Sequence, residues 1–423
     1  MRRALVGTFR NVIRLYFREI ERIGAAPPAD TKGRVFVSNH HNALIDPVLV
    51  LTDTECEISP IAKSTLWDIP GLKWLLDRAG AVPIVRKKDN ANKSADDNAA
   101  TFEKIASHLS DGGNILIFPE GTSHSEPKLA PLRTGAARML LAAENKGGIA
   151  QTFQAVALEF DARDDFRSRC LVLWGPVRKL SDVKGSGEDR VAAITQQMDA
   201  DLKELLVEGE THEERRTIAR IAEMLANDAG DASLAGWNTI GRQVEAASKT
   251  LASLSPDVIT HVTSKIDAYY KELAKFGLAD AQLATARAAV QKPGSRWVKR
   301  AMLAPLAVPG FALYAIPYFI PRMVAKKSDP DAVSTVKLGA ALVVYPLWMA
   351  GLVSLSFIVV PPPLSFGAAA IAIASPFAAL KWLDAYWNRM PAHEATAQDL
   401  SQLSKLRIAA RTAIDEARTK LGA

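Results

Sequence analysis

Between residues 34 and about 180, short apolar runs alternate with longer stretches of helical period. Val35-Phe36-Val37, Val82-Pro83-Ile84-Val85, Ile115-Leu116-Ile117-Phe118, Val156-Ala157-Leu158 and Cys170-Leu171-Val172-Leu173-Trp174 read as strands. Helix-like spacing fills 71–79, 92–110 and 133–147. This alternation predicts an α/β layered domain over 34–186 with a mostly buried sheet. Pro83 has no N–H for a central ladder, so its strand is expected at an edge or a bulge.

The pattern then changes. Residues 187–300 are rich in Ala, Glu, Lys and Arg and read as amphipathic helices, broken near Gly230, Ser255-Pro256 and Gly277. Residues 301–321 and 338–380 carry no charged side chain. A bilayer crossing needs roughly 20 apolar residues. The longer stretch therefore predicts a transmembrane hairpin, turned at Pro361-Pro362-Pro363. Arg322, Lys326, Lys327 and Lys337 precede it, Lys381 and Arg389 follow it, and the tip has no charge. Flanking cations place both its ends on the cytoplasmic side. The shorter stretch has cations at both ends and contains Pro305, Pro309, Pro317 and Pro321, so a re-entrant or interfacial segment broken by proline is expected. Residues 381–423 are expected as a cytoplasmic C-terminal helix.

Charge adds a partner. From Met1 to Arg34 there are eight basic and three acidic residues. On charge alone, nucleic acid and anionic lipid are both open as partners. Leu5, Val6, Phe9, Val12, Ile13, Tyr16, Phe17 and Ile20 interleave with those charges, which favours an amphipathic membrane-surface helix over 1–33 and no nucleic-acid partner. A helix docked on its own core gives the same pattern. No cleavable leader is visible. Cys56 and Cys170 are the two cysteines, without CxxC or His-rich spacing, so neither a disulfide framework nor a metal site is expected.

Three loops carry candidate chemistry. Asn39-His40-His41-Asn42-Ala43-Leu44-Ile45-Asp46-Pro47 follows a strand. Asp46 before Pro47 reads structurally as a helix N-cap. It reads functionally as a carboxylate that fixes a histidine tautomer for proton abstraction. Gly80 through Arg86 is a strand ending in a guanidinium fork suited to phosphate, or a solubilising cluster with Lys87 and Lys88. Phe118-Pro119-Glu120-Gly121-Thr122-Ser123 is a strand running into a turn, with a carboxylate able to accept from hydroxyls. His124 beside it reads as an exposed loop histidine.

Together and in this order the blocks resemble the phospholipid/glycerol acyltransferase family. Leu132-Arg133-Thr134-Gly135, Phe166-Arg167-Ser168-Arg169, Leu273 through Asp280 and Ser334-Thr335-Val336-Lys337 are similar to the branch with the fungal glycerol-3-phosphate and dihydroxyacetone-phosphate acyltransferases and their bacterial relatives. The resemblance implies transfer of a fatty acyl group from acyl-CoA or acyl carrier protein to a hydroxyl of glycerol 3-phosphate or 1-acylglycerol 3-phosphate, at a membrane and without a cofactor. It implies His40 as the base, with His41 as the alternative that meets the strict His-x4-Asp spacing. Asp46 would orient the base, and Arg86, Glu120, Gly121 and Thr122 would hold the glycerol phosphate. The fourth block, Phe153 through Phe160, lacks the family's usual proline, which leaves acyl preference unread. A multi-pass protein of a bacterial inner membrane or endomembrane, catalytic domain in the cytoplasm, is the expected location. An inactive scaffold of the same fold and an acyl-thioester hydrolase are the competing readings.

Overall fold

The computed structural model describes residues 2–85, 96–283, 294–387 and 395–422. The chain divides into two compact units, Met1–Glu208 with Pro330–Ser334, and Gly209–Asp329 with Thr335–Ala423.

The first unit is built on a seven-stranded sheet in the order β1-β7-β6-β2-β5-β3-β4. The strands are β1 Glu19–Ile23, β2 Arg34–Ser38, β3 Ser59–Lys63, β4 Val82–Ile84, β5 Ile115–Ile117, β6 Thr152–Phe160 and β7 Arg169–Lys179. β6 and β7 pair antiparallel and all other neighbours are parallel. Helices α1 Arg2–Tyr16, α2 Ile45–Asp53, α3 Leu72–Ala79, α4 Asp96–Ser110, α5 Gly135–Lys146 and α6 Gly187–Leu205 surround it. Val35, Phe36, Val37, Ile115, Leu116, Ala155 through Leu158 and Leu171 through Leu173 are buried, as continuous apolar runs in a covered parallel sheet must be. β4, with Pro83, pairs with β3 alone and is the edge.

Two strands differ from the pattern reading. Residues 1–33 do not form one surface helix: α1 ends at Tyr16, and Glu19–Ile23 is an edge strand paired with β7. Ile13, Tyr16 and Phe17 are buried, and α1 packs on α2 and α3. Burial pushes the Tyr16 hydroxyl up to about 12, and the charges of Asp164 and Asp165 add to it. β3 has no apolar run at all, only Ser-Pro-Ile-Ala-Lys.

The second unit contains α7 His212–Asp228, α8 Leu234–Leu254, α9 Pro256–Lys275, α10 Gly294–Ala325, α11 Val333–Val359, α12 Leu364–Trp387 and α13 Ala397–Lys420, the first two residues of α11 belonging to the first unit. The breaks at Gly230, Ser255-Pro256 and Gly277 fall between helices, with Pro256 opening α9 and Gly277 at φ +61°. Leu400, Leu403 and Ile414 of α13 pack with Ile266, Tyr269 and Leu273 of α9. A polar hub ties this bundle. Asp280, buried, accepts from the Tyr269 hydroxyl at 2.5 Å, Asn227 Nδ2 at 2.8 Å and Arg407 Nε at 2.7 Å.

Among the described residues three helical stretches are long and apolar enough to cross a membrane: Ala307–Ala325, Val333–Val359 and Leu364–Asp384. Contrary to the expectation of a proline-broken segment, α10 runs unbroken through Pro305, Pro309, Pro317 and Pro321. Neighbouring helices supply what the prolines remove. Pro317 has no N–H for the Leu313 carbonyl, and Trp348 Nε1 of α11 donates to that oxygen at 2.8 Å. Tyr314 donates to the Ala372 carbonyl at 2.8 Å.

Candidate active site

Register brings the first and third loops together. Val37 of β2 pairs with Ile117 of β5, both strands running the same way. Three residues further on, His40 and Glu120 therefore leave the sheet side by side at its C-terminal edge, where open α/β sheets place ligands. On the other side of β2, Ser38 pairs with Val156. The Asn39 side chain extends that ladder, donating to the Leu158 carbonyl at 2.9 Å and accepting from its amide at 2.8 Å.

Asp46 lies in the first turn of α2, which opens two residues earlier than an Asp46 N-cap requires; Leu44 occupies the cap position. The fully buried carboxylate reaches back over the preceding turn. Its Oδ2 takes the His41 amide at 2.8 Å, the Asn42 amide at 2.7 Å and His40 Nδ1 at 2.9 Å. An ionised carboxylate only accepts, so a neutral His40 carries its proton on Nδ1 and keeps the Nε2 lone pair. The His40 ring stacks on Phe118 at 4.1 Å and 22°, and its side chain is 18% exposed. Ala43 holds a positive φ of 37° in this turn, a strained conformation for a residue with a Cβ.

His41 points elsewhere. Its Nδ1 meets the His124 carbonyl at 3.0 Å and its ring lies edge-on to that of His124. His124 itself is not an exposed loop residue: its side chain is 12% exposed and its Nε2 donates to Glu120 Oε2. In neutral His124 the Glu126 amide donates to Nδ1 at 3.2 Å, a contact that protonation gives up. The hydrogen bond to Glu120 raises the His124 pKa, against burial, and the charges of Glu120, Asp331 and Glu126 add to it.

Glu120 is 4% exposed and its carboxylate is occupied by protein donors. Oε1 accepts from the His40 amide at 2.7 Å; Oε2 accepts from the Ala130 amide at 3.0 Å and from His124. Gly121, at φ +78°, and Thr122 continue the same loop. Arg86 lies outside the described residues.

Arg163 has no signal in the local sequence. Its Nη1 donates to the His41 carbonyl at 2.9 Å, Nη2 donates to the Pro330 carbonyl at 3.3 Å, and both reach Ser125 Oγ. Ser334 Oγ donates to the Arg163 carbonyl at 2.8 Å, and Ser125 donates to Asp331 at 2.8 Å. Pro330–Ser334 is thereby stitched to the His40–His41 turn. Arg167 and Arg169 serve the fold: Arg167 Nη1 donates to the Leu15 carbonyl at 2.8 Å, at the end of α1, and Arg169 Nε bonds Asp161 at 3.0 Å.

A histidine oriented by a buried carboxylate, on a loop braced by a second buried carboxylate, lies inside the stretch 15–156 that matches the Acyltransferase family model. Residues 15–156 form an Acyltransferase-family domain. The acyltransferase domain has relatives among curated proteins. The chain is 38% identical over 84 residues to Glycerol-3-phosphate O-acyltransferase 2 of Saccharomyces cerevisiae, a match covering 19% of this chain and 11% of the relative. It is 26% identical over 121 residues to the chloroplastic 1-acyl-sn-glycerol-3-phosphate acyltransferase BAT2 of Brassica napus, covering 29% of this chain and 33% of that one. The chain thus spans between a tenth and a third of the length of these relatives. The crystal structure of the 1-acyl-sn-glycerophosphate acyltransferase PlsC from Thermotoga maritima aligns with 48% of this chain and 80% of its own, at 17% identity and a TM-score of 0.36. Among the described residues no group of three or more His, Cys, Asp or Glu side chains is placed to hold a metal ion.

Proposed function

We propose that the chain transfers a fatty acyl group from a thioester, acyl-CoA or acyl carrier protein, to a hydroxyl of glycerol 3-phosphate or 1-acylglycerol 3-phosphate. The observation that carries this reading is the 2.9 Å contact of His40 Nδ1 with Asp46, which leaves Nε2 as the proton acceptor. His40 Nε2 takes the proton of the hydroxyl as its oxygen attacks the thioester carbonyl. The new C–O bond forms, the C–S bond breaks, and His40 Nε2 returns the proton to the leaving thiolate, which departs as the free thiol. Asp46 stabilises the imidazolium between those steps. No Ser or Cys nucleophile is required. The test is turnover of labelled acyl-CoA against a panel of acceptors. Ester formation with a glycerol phosphate supports the reading; release of free acid at the same rate with and without acceptor makes the protein a hydrolase.

We further propose that two of the three apolar helices cross the membrane. Two packings support an even number. Pro330–Ser334, after α10, packs on the loops of the acyltransferase domain, so α10 returns to the side it left. α13, after α12, packs on α9, so α11 and α12 cross as a pair.

A further inference from the structure

Among the described residues two guanidinium groups reach the loop that braces His40, and they differ in how they are used. Arg163 is spent on the His41 and Pro330 carbonyls and on Ser125. Arg133 is exposed, and among the described residues its side chain has no hydrogen-bond or ion-pair partner. It is nevertheless held in place. Its amide donates to the Pro119 carbonyl at 2.8 Å, fixing its backbone against the Phe118–Thr122 loop. Its guanidinium lies over Gly121, in the space a side chain there would take: a Cβ on Gly121 would come within 2.6 Å of Nε and 2.9 Å of Cζ. The glycine therefore seats the cation. One residue back, Glu120 holds the His40 amide at 2.7 Å. A charged fork, anchored through its backbone to the loop that positions the base and, among the described residues, without a carboxylate of its own, is equipped to take a planar set of anionic oxygens.

We infer that Arg133 binds the phosphomonoester of the acceptor, and that Gly121 is required because it leaves room for that guanidinium. The inference rests on the reading of the site as one for a glycerol phosphate. Soluble glycerol 3-phosphate and micellar 1-acylglycerol 3-phosphate present the same phosphomonoester, so each is used as a separate probe.

Binding of each probe to the full-length protein in detergent is measured by calorimetry, alongside turnover with acyl-CoA. Arg133→Ala is expected to weaken binding and raise the acceptor KM about ten- to a hundredfold, the scale of one charge-assisted contact. The donor KM stays within about twofold. Arg133→Lys recovers part of the loss, since a point charge does not reproduce the fork. Gly121→Ala raises the acceptor KM in the wild-type background and has a smaller effect when Arg133 is already alanine. A loss with both probes assigns the phosphate; a loss with the micellar probe alone assigns a lipid-surface contact and overturns the inference. Unchanged binding in Arg133→Ala, or a rise in the donor KM alone, also overturns it. If the wild type binds glycerol 3-phosphate but transfers no acyl group, the acyltransferase reading fails while the Arg133 assignment is still decided by the binding comparison.

Discussion

Removing the Glu120 carboxylate separates a brace from a substrate ligand. Glu120→Ala leaves the His40 amide, now 2.7 Å from Oε1, and the Ala130 amide, 3.0 Å from Oε2, without their acceptors, in a place where the parent side chain is fully buried. A buried donor left unsatisfied costs about 1–3 kcal/mol, so the two amides together predict a loss of about 2–6 kcal/mol. Water entering the space of the deleted side chain brings the value toward the lower end. For a unit of this size 1 kcal/mol moves the melting temperature by about 2–4 °C, which gives a fall of roughly 4–24 °C. Glu120→Gln keeps one acceptor and sets an amide donor against the other contacts, so it falls between alanine and wild type. The assay is thermal unfolding of the purified full-length protein in detergent, with initial rates on the same samples. Both alanine melting and kcat should drop together. An alanine variant that melts within about 1 °C of wild type and shows only a higher acceptor KM would refute the brace and make Glu120 a direct ligand of the substrate.

The pH dependence of that brace has a definite sign. Glu120 raises the His124 pKa above the ordinary 6.5, so the pair's contribution is fully present below 6.5 and is lost as pH rises through the elevated value. The melting difference between wild type and His124→Gln should shrink as pH increases from 6.5 upward; a constant difference would show that no charged pair forms. In the helical bundle, Asp280→Ala strands the Tyr269 hydroxyl and Asn227 Nδ2, while Arg407 keeps its 2.7 Å pair with Asp228, and should cost about 2–6 kcal/mol by denaturant unfolding, about 1–3 kcal/mol for each buried donor left unsatisfied. A loss under about 1 kcal/mol would show that the hub is solvated. For topology, Cys56 and Cys170 are replaced and single cysteines placed at Ser328, Leu364 and Ser401, Leu364 being 68% exposed beside the proline tip. An impermeant thiol reagent on the side away from the acyltransferase domain should reach Leu364→Cys alone; labelling at Ser328→Cys would make α10 a full crossing.

What the sequence made legible follows from where the physics is local. Strands buried on both faces show as unbroken apolar runs, and β2, β5 and β7 were found that way. Glu19–Ile23 alternates charged and apolar residues because it is an edge strand, and over five residues that alternation merges with the amphipathic helix before it. β3 opens on Ser-Pro and has no run to find. His40, Asp46 and Glu120 stood out as residue types, but that Glu120 faces the His40 amide depends on the pairing of Val37 with Ile117, 80 positions apart. Arg163 and Ser334 meet across 171 positions and leave no local trace. The role of Asp280, the last residue of the Leu273–Asp280 stretch, appears only once α7, α9 and α13 surround it.

The account turns on His40 as the base, and paired variants test it directly. His40→Ala and His41→Ala are compared for acyl transfer to glycerol 3-phosphate, with membrane association and melting measured on the same preparations. Loss of the imidazole that Asp46 orients should lower kcat by at least about a hundredfold, the scale of general-base catalysis. His41, whose Nδ1 meets the His124 carbonyl, should retain kcat within about tenfold when replaced by alanine. A well-folded His40→Ala that keeps its turnover, with His41→Ala inactive, would contradict the account.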